Sequence, residues 1–165
     1  MLSSSLGFGR VMFGVAISSI AALVLTVVQL PDWLFHFWPD WIAMVVIYWA
    51  LQKPQHVGPL VGFAIGTCLE VLFVREFGVL GLGLATLAFI VNSSNQQLRI
   101  MTVWQQTLLI GFFVGIFKLL TGWLYGLVSD FTITREYWYP ILASFLLWPF
   151  VFILLEELRR ALRIR

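Results

Sequence analysis

Polar residues along this chain fall in short clusters, and between them lie apolar runs too long for ordinary core elements. Six such segments separate at 11–30, 41–51, 57–74, 77–91, 104–128 and 139–155. The breaks have physical causes. Pro31 and Pro39 bracket the first connection, Pro54 ends the second segment, and Asn92-Ser93-Ser94-Asn95 interrupts after the fourth. Pro140 suits the first turn of the last segment, where a missing N–H costs nothing. Strands are a poor alternative, because lipid-facing strands need alternating polar and apolar positions. The pattern predicts an all-α integral membrane protein with six transmembrane helices in a single domain, residues 1–165, ending in a short basic tail, 156–165.

Composition strengthens this. Hydrophobic residues make up 61% of the 165 positions and charged residues 11%, with a mean hydropathy of +0.95. Soluble domains carry about 25% charged residues, and a chain this small cannot bury so much apolar surface in one core. A bilayer interior of roughly 30 Å takes about 20 apolar residues per helix. The run 11–30 is longer than a signal-peptide core and reads as an uncleaved first span.

The placement of basic residues predicts orientation. Arg10, Lys53, Arg99, Arg159, Arg160, Arg163 and Arg165 fall on one side, and only Arg75 and Arg135 on the other. The excess of Lys and Arg marks the cytoplasmic side, so both termini are expected there. The second segment is short. Its apolar stretch reaches only about 17 Å at 1.5 Å per residue, so it is expected either to be embedded among longer helices or to line a cavity.

Candidate chemistry is sparse. Gly58, Gly62 and Gly66 recur at four-residue steps toward Glu70, and Gly111, Gly115, Gly122 and Gly126 share a spacing with Lys118. Small residues let membrane helices approach closely. Glu70 and Lys118 come to matched depths and are expected to form an intramembrane ion pair, with a ligand or proton site as the alternative. Asp40 is expected to cap the second helix rather than contact a partner, and His36, Asp40 and Trp41 could line an outer cavity. Trp33, Trp38, Trp41, Trp104, Tyr137, Trp138 and Tyr139 fit an interfacial aromatic belt. Single Cys68 excludes an internal disulfide and reads as a buried, inert thiol. His36 and His56 lack metal-ligand spacing. No nucleophile–base set, phosphate-gripping loop or nucleic-acid patch can be assembled, so no enzyme, cofactor, metal site or nucleic-acid partner is expected.

Several short motifs add a family resemblance. They are Trp38-Pro39-Asp40-Trp41 leading into Tyr48-Trp49, then Gly62-Phe63 with Gly66 and Glu70, then Gly78 with Gly81. Trp104-Gln105-Gln106 follows, and Leu147-Trp148-Pro149 precedes the basic tail. In order and spacing the chain resembles the MreD family, small membrane subunits of the bacterial rod-shape system. The resemblance implies a non-enzymatic role in the cytoplasmic membrane. It implies association with a bitopic MreC-like protein and, through it, with an MreB-like filament, a RodA-like glycosyltransferase and a penicillin-binding transpeptidase. It also implies a six-helix fold similar to the substrate-binding subunits of vitamin uptake transporters. A small-molecule-binding transporter subunit is the alternative function.

Overall fold

The computed structural model describes residues 2–28, 38–74, 76–128 and 134–164. It contains α1 (Leu2–Val27), α2 (Trp41–Gln52), α3 (Pro59–Phe73), α4 (Val79–Ser93), α5 (Asn95–Ile100), α6 (Val103–Val128) and α7 (Tyr139–Ala161). A single 3₁₀ turn, Arg135–Trp138, leads into α7, and no strand occurs among the described residues. Three stretches are long and apolar enough to cross a bilayer: Phe8–Val27, Trp104–Val128 and Arg135–Ala161. Helices α2, α3 and α4 are shorter but equally apolar.

The helix boundaries differ from the apolar runs where capping decides. Helix α1 begins well before residue 11, because nothing between Leu2 and Arg10 breaks it. Gly58 is the N-cap of α3 and Pro59 its first residue, so Val57 and Gly58 belong to the preceding turn. The Asn92–Asn95 interruption proves brief: α4 runs to Ser93 and α5 starts at Asn95. Helix α7 continues past Leu155 to Ala161 with Pro149 inside it.

Helix α2 is the axis of the bundle. Every residue from Ile42 to Leu51 is buried, and α1, α4, α5, α6 and α7 all pack on it. At 12 residues it is about 18 Å long, so both of its ends stop inside the protein. Around it the order is α4, α6, α7 and α1. Helix α3 rests on α4, α1 rests on α2, and α1 and α7 scarcely touch each other.

Outward faces are apolar. Leu108, Phe112, Leu119 and Trp123 along α6, and Leu142, Leu146, Phe150 and Leu154 along α7, are all exposed. Faces this large and continuous are unstable in water and at home in lipid. Cys68 lies on such a face and is exposed, which corrects the buried reading. It stands two residues from Gly66 and from Glu70, both buried, and so faces away from α4.

The closest helix contact is between α3 and α4. A Cβ on Gly62 would lie 2.6 Å from the Leu84 carbonyl oxygen, and one on Gly66 would lie 2.6 Å from the Gly81 backbone. The obstacles are backbone atoms and cannot rotate away. Gly66→Ala is therefore expected to separate α3 from α4 and lower stability by about 1–3 kcal/mol, read as a lower melting temperature in detergent. Gly9→Ala, with nothing within 4 Å of its added Cβ, is the matched control.

The other glycines are unequal. Gly111 lies under the Phe145 ring, with 3.2 Å to an added Cβ, whereas Gly58 and Gly115 have nothing nearer than 3.7 and 3.9 Å. Gly122 is buried and Gly126 exposed. The glycine spacing on α6 is thus not a continuous close-packing stripe. Two closer contacts lie elsewhere: Gly14 receives the Trp49 ring, and Gly83 receives Thr121 and Phe117.

Candidate functional site

A helix that ends inside a protein leaves backbone groups without intrahelical partners, and in an apolar interior those must be met by side chains. The last turn of α2 is met in this way, and the residue before its first turn is tied to two other helices; the side chains involved form much of the polar interior of the bundle.

At its last turn, Asn95 Nδ2 donates to the Leu51 carbonyl at 2.5 Å, Arg99 Nε to the same oxygen at 3.3 Å, and Arg99 Nη2 to Gln52 O at 2.7 Å. Asn92 Nδ2 donates to Val57 O at 3.2 Å across the following turn. The Asn-Ser-Ser-Asn break is therefore the fastener of α2 as well as a connection. Lys53 follows directly. Burial holds its ammonium below the ordinary lysine range, and the nearby guanidinium groups of Arg159 and Arg99 push the same way. These cations define a basic end of the bundle.

The opposite end begins at Asp40. Its amide donates to Ser144 Oγ on α7 at 3.1 Å. Asp40 holds the N-cap position, but its side chain makes no capping bond. Instead its Oδ2 lies 3.0 Å from Lys118 Nζ on α6, with both side chains largely buried. Lys118 Nζ also sits 4.8 Å above the Tyr137 ring, where the aromatic face attracts the cation. Tyr137 in turn donates its hydroxyl proton to Lys118 O at 2.8 Å and lies 3.0 Å from Thr121 Oγ1. The expected capping role of Asp40 is thus replaced by ion pairing.

Glu70 and Lys118 do not pair. The Glu70 carboxylate is fully buried and accepts the amide protons of Gly78 at 2.7 Å, Gly81 at 3.2 Å and Leu80. These are the first amides of α4, whose N-cap, Gly78, has no side chain to offer them. The acid does a cap's work from the neighbouring helix, favoured by the positive end of the α4 dipole. The arrangement also holds the intervening turn, where Gly78 has φ +95° and Val74 the left-handed φ of +50°. That region is unfavourable for a β-branched residue. Matched depth does not decide the pairing: the acid beside the start of α4 is held by its amides, and the acid at the start of α2 meets Lys118.

A second chain of polar contacts runs toward the basic end. Tyr48, fully buried on α2, donates to Glu156 Oε2 at 2.9 Å. Arg159 closes on the same carboxylate with two bonds, at 3.0 and 2.5 Å. Beside it, Trp49 Nε1 donates to Ser18 Oγ at 2.8 Å, and Ser18 donates on to Gly14 O at 2.8 Å. Tyr48 and Trp49 thus lock α2 to α7 and α1 respectively. Trp148, also fully buried, packs its ring on Phe152, which packs on Tyr48.

Asp40 and Trp41 turn to different sides of the bundle. Trp41 lines an apolar groove of about 530 Å³ bounded by α1, α2 and α7, while Asp40 is engaged with α6. His36 lies outside the described residues, as do Asp32 and Trp33. Among the described residues no three metal-ligating side chains come together. The interior chemistry is that of ion pairs and side chains bonded to helix ends, suited to holding helices in one arrangement.

No solved structure matches this chain. In sequence it is 31% identical over 131 residues to a rod shape-determining protein MreD of Haemophilus influenzae, covering 76% of this chain and 78% of that protein. The family model for the rod shape-determining protein MreD matches residues 9–158, from the second turn of α1 almost to the end of α7. The chain belongs to the MreD family of rod shape-determining membrane proteins.

Proposed function

We propose that this protein crosses the bacterial cytoplasmic membrane six times, with both termini in the cytoplasm, and acts as a non-enzymatic subunit of the cell-elongation complex. It binds a bitopic MreC-like protein there. Through that protein it meets an MreB-like filament, a RodA-like glycosyltransferase and a penicillin-binding transpeptidase, and helps direct side-wall peptidoglycan synthesis. The observation that carries this reading is the family match across residues 9–158. The outward apolar faces and the gathering of Lys53, Arg99 and Arg159 at one end support the threading, since basic residues remain on the cytoplasmic side. Helices α2, α3 and α4 are short for a span of roughly 30 Å. They cross because the longer helices and the side chains at their ends shelter them.

A transporter subunit would need His36, Asp40 and Trp41 around one polar cavity. Asp40 is instead neutralised by Lys118, and Trp41 lines an apolar groove on another side. Depleting the protein from a rod-shaped host is expected to give round cells within a few generations, with side-wall incorporation of peptidoglycan precursors lost. Rods that persist under complete depletion, with no second copy of the gene, defeat the elongation reading.

A further inference from the structure

We infer that the groove between α1 and α7 is the seat of a transmembrane helix from the single-pass partner, an assignment that rests on the function proposed above. The groove holds about 530 Å³ and is walled by Ile17, Ala21 and Leu25 on α1 and by Leu154 and Leu158 on α7, with Val45 of α2 as its floor. Helices α1 and α7 run antiparallel, scarcely touch, and leave this trough between them. On α7 it extends from Val151 to Ala161, about 15 Å along the helix axis. A trough parallel to the bundle axis accepts another helix side by side. Alanine at positions 21 and 161 keeps both walls low, which permits close backbone approach.

Charge selects among possible occupants. Glu157 is the one charged residue lining the groove, and it stands at the basic end. Its own neighbour, Arg160, is 3.5 Å away with both side chains about two-thirds exposed, a pairing of little energetic weight and readily exchanged. A single-pass helix carries Lys or Arg at its cytoplasmic border, which would meet Glu157. Glu157 itself offers no attraction to an anionic lipid headgroup. The same acid disfavours a second copy of this chain, because symmetric apposition of this groove sets Glu157 against itself.

The test uses the full-length chain with Cys68→Ser and either Ala21→Cys or Leu154→Cys. It is co-expressed with the MreC-like bitopic protein of the same organism, carrying single cysteines along its membrane segment. Disulfides are expected at 21 and 154 with a helical period along the partner, and none from Leu119→Cys on the exposed face of α6. Ala21→Trp is expected to reduce co-purified partner at least ten-fold at unchanged yield of the chain itself, and Glu157→Lys several-fold. Co-purification with cross-links at 119 and not at 21 or 154 overturns the groove assignment and leaves the proposed function standing. No co-purification of the unmodified pair removes both. Dominant 21-to-21 cross-links between copies would show a homodimer face. Loss of a tightly bound phospholipid on Ala21→Trp, with partner binding intact, would show a lipid site. Either of these last two results also overturns the assignment.

Discussion

Glu70→Ala is expected to be the most damaging single substitution in the bundle, with protein level in the membrane falling to a small fraction of wild type. Three amides at the start of α4 lose their acceptor at once, and Gly78 cannot replace it. A buried donor left unsatisfied costs about 1–3 kcal/mol; the Gly81 amide is buried and the other two partly so, so the loss is a sizeable part of a typical protein's stability of roughly 5–15 kcal/mol. Glu70→Gln keeps one acceptor oxygen and is expected to fall between wild type and Glu70→Ala. Because the partners are backbone groups of α3's own neighbour, no second charge substitution can repair the loss. The double reversal Glu70→Lys with Lys118→Glu is expected to be no better than its worse parent. Recovery in that double variant, measured as membrane-inserted protein and melting temperature in detergent, would reinstate the Glu70–Lys118 pair.

Charge reversal at the other pair is expected to behave in the opposite way. Asp40→Lys or Lys118→Glu alone puts two like charges where an ion pair of 3.0 Å stood, and breaking a buried pair costs about 3–5 kcal/mol. Combining them restores opposite charges across α2 and α6. Recovery is expected to be partial, because a carboxylate placed over Tyr137 loses the attraction that the lysine ammonium has for that ring. Thermal unfolding of the four purified variants in one detergent reads the coupling directly. Additive losses, with no coupling between positions 40 and 118, would mean that the pair contributes nothing.

The contrast shows what could be read from the residues alone. The apolar runs and their proline breaks located three long and three shorter apolar helices among the described residues, because helix existence in such a chain follows from the length and continuity of apolar sequence. Helix ends were harder. They depend on which groups hold them, and here those come from distant positions: Ser144 on the Asp40 amide and Lys118 on its carboxylate, Asn95 and Arg99 at Leu51, Glu70 at Gly78. Some of this was available. A helix starting at Gly78 without Ser, Thr, Asp or Asn, eight residues after an intramembrane acid, is a signal that the acid caps it. The shortness of α2 is legible in the sequence, whereas its burial along the whole length is not. A short helix buried along its length brings Asp40 down to the depth of Lys118. The α1–α7 groove had no sequence signature, since it arises from two helices that both lean on α2 and not on each other.

Cysteine accessibility reads the threading without any assumption about partners. In a Cys68→Ser background, single cysteines replace Gln55, Glu76, Gln97, Glu136 and Arg163; all five are exposed, and they lie between the longer helices, on the short α5 or the 3₁₀ turn among them, or beyond α7. Intact cells treated with a membrane-impermeant maleimide are expected to label positions 76 and 136 only, with 55, 97 and 163 labelling after permeabilisation. Labelling of 55 or 97 from outside, or of 76 and 163 from the same side, would contradict a bundle that crosses the membrane six times around a buried α2.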